Sequence, residues 1–170
     1  ADTTQETGQT VQPGSVSNST NMTGYFEIPE SAMLKIFSDR NSSQMEKAAR
    51  LAPLYNKYGK LFNIRADIAW AQMCHETGFL EYKGDVKPDQ NNFCGLGATG
   101  GGVPGNSFAT EELGVIAHYA HLAWYLYPSD VNEYCTKTYD PRHFGSTHIN
   151  YTGDTTLGFL NGRWAPGAAY

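Results

Sequence analysis

Between Arg65 and Gly78 the chain reads Ala66-Asp67-Ile68-Ala69-Trp70-Ala71-Gln72-Met73-Cys74-His75-Glu76-Thr77. Wound as a helix, this run carries apolar side chains on almost every side, so it must be wrapped by other elements rather than laid on a surface. Gly78 follows at once and is a natural stop, because glycine enters the left-handed conformation of a helix C-terminus without steric cost. The helix therefore needs partners, and the sequence offers three. Ile28-Pro29-Glu30-Ser31 opens a short helix whose apolar side is Met33, Leu34 and Phe37, with proline in the first turn. Leu51, Leu54, Tyr58, Leu61 and Phe62 recur at three- and four-residue steps and predict a second helix from about Ser43 to Phe62. Thr110 caps a later helix, with Glu111 and Glu112 at the positive end of its dipole. It runs through Ile116, Tyr119, Ala120, Ala123 and Tyr125 to about Tyr127, where Pro128 closes it. Short helices are expected near Val131–Lys137 and Thr155–Asn161. The fold class is mainly α (α+β), in one domain over residues 25–170.

Two segments depart from this pattern. Residues 1–24 are Thr, Gln, Ser, Asn and Gly with almost no large apolar side chains, so they are expected to be a disordered leader or linker that adds no core contacts. Residues 79–108 hold seven glycines, Asp85, Asp89, Asn91 and Asn92. They read as a small loop-rich lobe, with a hairpin around Phe93–Ala98.

Charge and residue usage exclude several functions. A net charge of -5 is wrong for a phosphate backbone, which is held by clustered Lys and Arg, so no nucleic acid is expected as a partner. No run of 18 apolar residues exists to span a membrane. Cys74, Cys94 and Cys135 are odd in number and lack metal-ligand spacing, so they read as buried free thiols. His118 and His121 read as a polar helix face, because no third ligand is placed beside them. Asp140-Pro141-Arg142 reads as a turn with an internal Asp–Arg pair. Gly100-Gly101-Gly102 lacks the Lys-Ser/Thr of a phosphate loop. No metal or organic cofactor is expected, and the chain is expected to be a monomer.

Glu76 is the sharpest chemical feature. A carboxylate on the last turn of a buried helix, followed by a glycine turn and a polar lobe, belongs at the floor of a groove. Partial burial there raises a carboxyl pKa, and a protonated carboxyl can donate to the leaving oxygen of a glycoside. A plain solvent-facing glutamate at a helix end is the competing reading.

The segment Ala69–Gly78 resembles the "AQ…hE(S/T)G" signature of the bacterial N-acetylglucosaminidases that hydrolyse cell walls (glycoside hydrolase family 73). Asn91-Asn92-Phe93-Cys94-Gly95-Leu96-Gly97 is similar to that family's "NNxFGI" element, Phe108 and the helix after it to its next block, and Trp164-Ala165 with Tyr170 to its closing "WA…Y" element. The resemblance implies a lysozyme-like helical core with a small lobe beside a substrate groove. It also implies hydrolysis of the β-1,4 bond after N-acetylglucosamine in peptidoglycan, by a secreted or wall-located autolysin or endolysin. Glu76 then corresponds to the catalytic acid and Tyr170 to a groove tyrosine. Asn92, Phe93, Gly95, Phe108 and Tyr119 are the expected substrate contacts. An inverting reaction also wants a base about 6.5–9.5 Å from the acid. The glycine-rich run 97–105 contains no carboxylate, so Asp85 and Asp89 are the first candidates, ahead of Glu111. Substrate assistance through the acetamido oxygen stays open, as do a muramidase or lytic transglycosylase using the same Glu76 and a non-catalytic wall-binding module.

Overall fold

The long apolar helix is central, as its composition requires. In the computed structural model, which describes residues 16–160, 163 and 164, the helices are α1 (Glu30–Asp39), α2 (Met45–Phe62), α3 (Ala66–Thr77), α4 (Glu111–Leu126) and the single turn α5 (Leu157–Leu160). The architecture is mainly helical, as expected. Among the described residues β structure is limited to isolated bridges. Helix α2 is the hub, packing on α1, α3 and α4. Its buried face is Leu51, Ala52, Tyr55, Tyr58 and Phe62, whereas Leu61, expected on that face, is half exposed.

Aromatic side chains build the core where the helices cross. Tyr55 packs edge-on to Trp70 of α3 and lies against Tyr119 of α4, which stacks on Phe62. Each large side chain taken fully out of water contributes about 1.5–3 kcal/mol before chain entropy is counted. The same crossing holds a polar relay. Tyr55 O–H donates to His118 Nδ1 at 2.8 Å, and His118 Nε2–H donates to Gln72 Oε1 at 2.7 Å, so α2, α4 and α3 are joined in one line. Burial, with a smaller contribution from His121, pushes His118 down to about 3, which keeps it neutral.

Several expectations need correction. His118 and His121 do not form a polar surface, because α4 is buried almost all round. Buried Asp140 accepts from His121 Nδ1 at 3.0 Å and from the Arg142 backbone N–H, rather than pairing with the Arg142 side chain. Val131–Lys137 forms turns, not a helix, and Phe93–Ala98 forms no hairpin. Within Thr155–Asn161 a helical turn does form at Leu157–Leu160, and Asn161 lies outside the described residues.

The expected boundary at residue 24 is also wrong. Met22 is fully buried in the core. Its N–H donates to Thr155 O and its C=O accepts from Arg65 N, both at 2.9 Å. Gly24 N donates to Asn63 O, and Leu157 N to Thr20 O. One methionine in a polar run is enough to tie residues 18–24 between α5 and the α2–α3 turn, which composition averaged over 24 residues conceals. Residues 1–15 lie outside the described residues.

Candidate functional site

Helix α3 ends in a tight left-handed turn that aims Glu76 at the lobe. Gly78 caps the helix at φ +55, and Phe79, Leu80 and Tyr82 also have positive φ. Non-glycine residues in this region cost of order 1 kcal/mol each and persist only when their surroundings impose them. Thr77 imposes the turn here: its hydroxyl donates to Met73 O at 2.8 Å and accepts from Leu80 N at 2.9 Å, while its C=O accepts from Tyr82 N.

The opposite wall is a loop shaped by three consecutive amides. Gln90 Nε2 donates to Pro104 O at 2.8 Å, and Asn91 Nδ2 donates to Phe108 O at 3.0 Å. Asn92 is fully buried and satisfied on both ends of its side chain. Its amide donates to Leu96 O and Asn106 O, and its carbonyl accepts from Cys94 N and Leu96 N. These bonds replace the ladder of a hairpin, which is why the lobe needs no strands. Gly114 lets α4 approach: a Cβ there would meet Asn91 O at 1.9 Å and the Phe93 ring at 2.8 Å.

Between turn and loop lies a groove of about 470 Å³. Glu76, Tyr82, Asp85, Gly95, Thr99 and Trp164 line it, and Glu76 and Asp85 are the carboxylates among the described lining residues. Glu76 is half-buried. Gly95, at φ +68, faces it so closely that a Cβ would stand 3.1 Å from Glu76 Oε2. Asp85 is held by Gly102 N–H, which donates to Oδ2 at 3.1 Å. The three cysteines are buried free thiols, as expected. Cys94, although it lines the groove, is no nucleophile: burial first, then the charges of Glu76 and Asp140, hold its thiol well above the usual range.

The expected site residues divide clearly. Glu76, Asp85 and Gly95 come together. Asp89 is exposed on a 3-10 turn (Pro88–Gln90) and does not line the groove. Glu111 is held by Arg50 at 2.9 Å, as a first-turn acid. Asn92, Phe93 and Tyr119, expected to touch substrate, are fully buried: Asn92 and Phe93 belong to the loop that builds the wall, and Tyr119 lies in the core between α2 and α4. Tyr119 donates its O–H to Tyr55 O at 2.7 Å. Phe108 packs beside Cys94, Leu96 and Ala117 and does not line the groove. Tyr170 lies outside the described residues.

Trp164 was missed as a site residue. Its indole N–H donates to Cys94 O at 3.1 Å, and its ring lies 4.8 Å from that of His121. The arrangement joins a carboxyl on a rigid helix end, a second carboxylate, an indole and a backbone-rich wall. It suits an uncharged, hydroxyl-rich ligand that needs a proton donor.

The model of the family described as Glucosaminidase, mannosyl-glycoprotein endo-beta-N-acetylglucosaminidase, matches residues 52–154. An uncharacterized protein of Borreliella burgdorferi is 32% identical over 120 residues, covering 71% of this chain and 56% of that protein. The chain thus spans about half the length of that curated relative. No solved structure matches the chain.

Proposed function

Because the chain belongs to the glucosaminidase family of glycoside hydrolases, we propose that it cleaves the β-1,4 bond after N-acetylglucosamine in peptidoglycan, with Glu76 as general acid. The observation that carries this reading is the half-buried Glu76 at the groove wall, facing the bare α-carbon of Gly95. A side chain at position 95 would fill the space that a glycosidic oxygen needs beside the carboxyl.

Glu76 donates its proton to the leaving oxygen as the bond to the anomeric carbon breaks. Asp85 takes a proton from the water that attacks that carbon, so the products are two free hydroxyl ends. Trp164 offers an apolar face to a sugar ring, and the carbonyl and N–H groups of the 94–99 wall suit an acetamido group. The site of action under this reading is the cell wall, outside the cell. Among the described residues no helix is long and apolar enough to cross a membrane.

Mass spectrometry of fragments released from purified peptidoglycan tests the bond. N-Acetylglucosamine at the new reducing end is the expected result. N-Acetylmuramic acid there would make the protein a muramidase, and a 1,6-anhydro end a lytic transglycosylase working without Asp85. Tight pelleting with wall material and no soluble fragments would leave only a binding module.

A further inference from the structure

Away from the groove, the segment after α4 gathers four chemistry-bearing side chains. His148 Nε2 lies 2.9 Å from Asp130 Oδ1, and His143 Nε2 lies 3.1 Å from the same oxygen. Cys135 joins them: one donor atom each from Asp130, Cys135 and His148 fall within 4.8 Å of one another. None of the four lines the groove.

The other face of His148 decides what it presents to Asp130. Its Nδ1 lies 2.9 Å from two backbone carbonyls, those of Ala123 and Tyr127. Carbonyls only accept, so Nδ1 carries a proton, and in the neutral tautomer Nε2 turns its lone pair toward the carboxylate. Two acceptors that close repel unless a proton or a metal ion is shared between them. A ring whose far N–H is fixed by a backbone carbonyl is the usual arrangement of a metal-bound imidazole. The nearby sulfur favours the metal, because a protonated His–Asp pair has no need of a thiol.

We propose that Asp130, Cys135 and His148 form a structural site for one zinc-class divalent ion. Mixed N, S and O donors are what such an ion takes, and a water completes a four-coordinate shell on three protein ligands. Neighbouring donors of a tetrahedral zinc site stand roughly 3.3–3.8 Å apart, given bond lengths of about 2.0–2.3 Å, and the three donor atoms here lie within 4.8 Å of one another. Binding releases the Cys135 proton to solvent and moves no electrons. The ion pins residues 130–148 to the end of α4. That segment contains no helix, and its one described bridge in this region is Ser129 to Thr147. His143 and His148 are buried, whereas the Asp130 side chain is 34% exposed, which leaves an entry path.

The test is a cobalt(II) titration of the purified full chain after chelator treatment, followed in the near ultraviolet. A thiolate-to-cobalt charge-transfer band saturating at one equivalent is expected, displaced by zinc, with a higher thermal midpoint in the zinc-loaded protein. Cys135→Ser should abolish the band. Asp130→Ala, at a partly exposed position that does not build the core, should weaken cobalt binding at least tenfold while keeping the helical circular dichroism. Absence of a saturable band in the wild type would overturn the proposal. So would a band that persists in Cys135→Ser, or unchanged affinity in Asp130→Ala. The readout is independent of glycan cleavage, so its failure leaves the proposed activity standing.

Discussion

The Glu76 carboxylate rests against the α-carbon of Gly95, so close that a single methyl group added there would stand 3.1 Å from Oε2. This contact joins the end of α3 to the opposite wall of the groove, and it places glycine there for two reasons. The backbone needs φ +68, and the carboxyl needs the space.

Gly95→Ala separates those reasons. The left-handed conformation costs an alanine about 1–2 kcal/mol, so the thermal midpoint should drop modestly. Turnover on peptidoglycan should fall at least tenfold with the protein still folded. Full activity in the variant would show that nothing reacts in the space beside Oε2.

For Glu76 itself, glutamine keeps the shape and removes the proton. General acid catalysis typically contributes about 10²–10⁴-fold, so Glu76→Gln should lose at least that much in turnover. Its thermal midpoint should hold or rise slightly, because an amide is less costly than a carboxylate in a half-buried position. A folded Glu76→Gln protein that still digests peptidoglycan would falsify the assignment.

Two aspartates that looked equivalent in sequence should behave differently. Asp85→Asn should cut turnover at least tenfold, because Asp85 is the second carboxylate on the groove. Asp89→Asn should be indistinguishable from wild type, because Asp89 is exposed elsewhere. Near wild-type rates for Asp85→Asn would favour attack by the substrate's acetamido oxygen or a single-acid route.

His118 makes stability depend on acid. Its folded pKa is depressed to about 3 by burial, against an ordinary value of 6.5. Between those values the unfolded chain binds a proton that the folded one does not, so stability falls as pH drops from 6.5 toward 3. The slope contributed approaches about 1.4 kcal/mol per pH unit. Above 6.5 both states are neutral there and the contribution is constant. Chemical denaturation at pH 7, 5 and 4 should show this loss in the wild type and a flatter profile in His118→Gln.

Met22 provides a test of the N-terminal segment. Truncating a fully buried methionine costs about 2–5 kcal/mol, so Met22→Ala should lower the denaturation midpoint clearly. An unchanged midpoint would mean that residues 18–24 are not part of the core in solution.

Local chemistry made much of this protein legible in its sequence. The apolar run 66–76, its glycine stop and the Thr110 cap specify α3 and α4 through periodicity and capping, which act over a few residues. Glu76 and Gly95 were found because short motifs carry them. What the sequence left open depends on contacts between distant positions. Asn92, Phe93 and Tyr119 sit in or beside recognisable motifs, yet whether such side chains face a ligand or the core is decided by how α4 packs on the loop through Gly114. The pairing of Asp140 with His121, the binding of Met22 to residues 65 and 155, and the placing of Trp164 beside Cys94 all join residues far apart in the chain. Asp130, Cys135, His143 and His148 lie close in the chain, but their spacing matches no familiar metal motif, so only the folding of the segment after α4 brings them together. Helix propensity and hydrophobic pattern determined which segments wind and which face is buried. Only the closing of loops around those helices, driven by burial and by satisfying buried polar groups, determined which side chains meet.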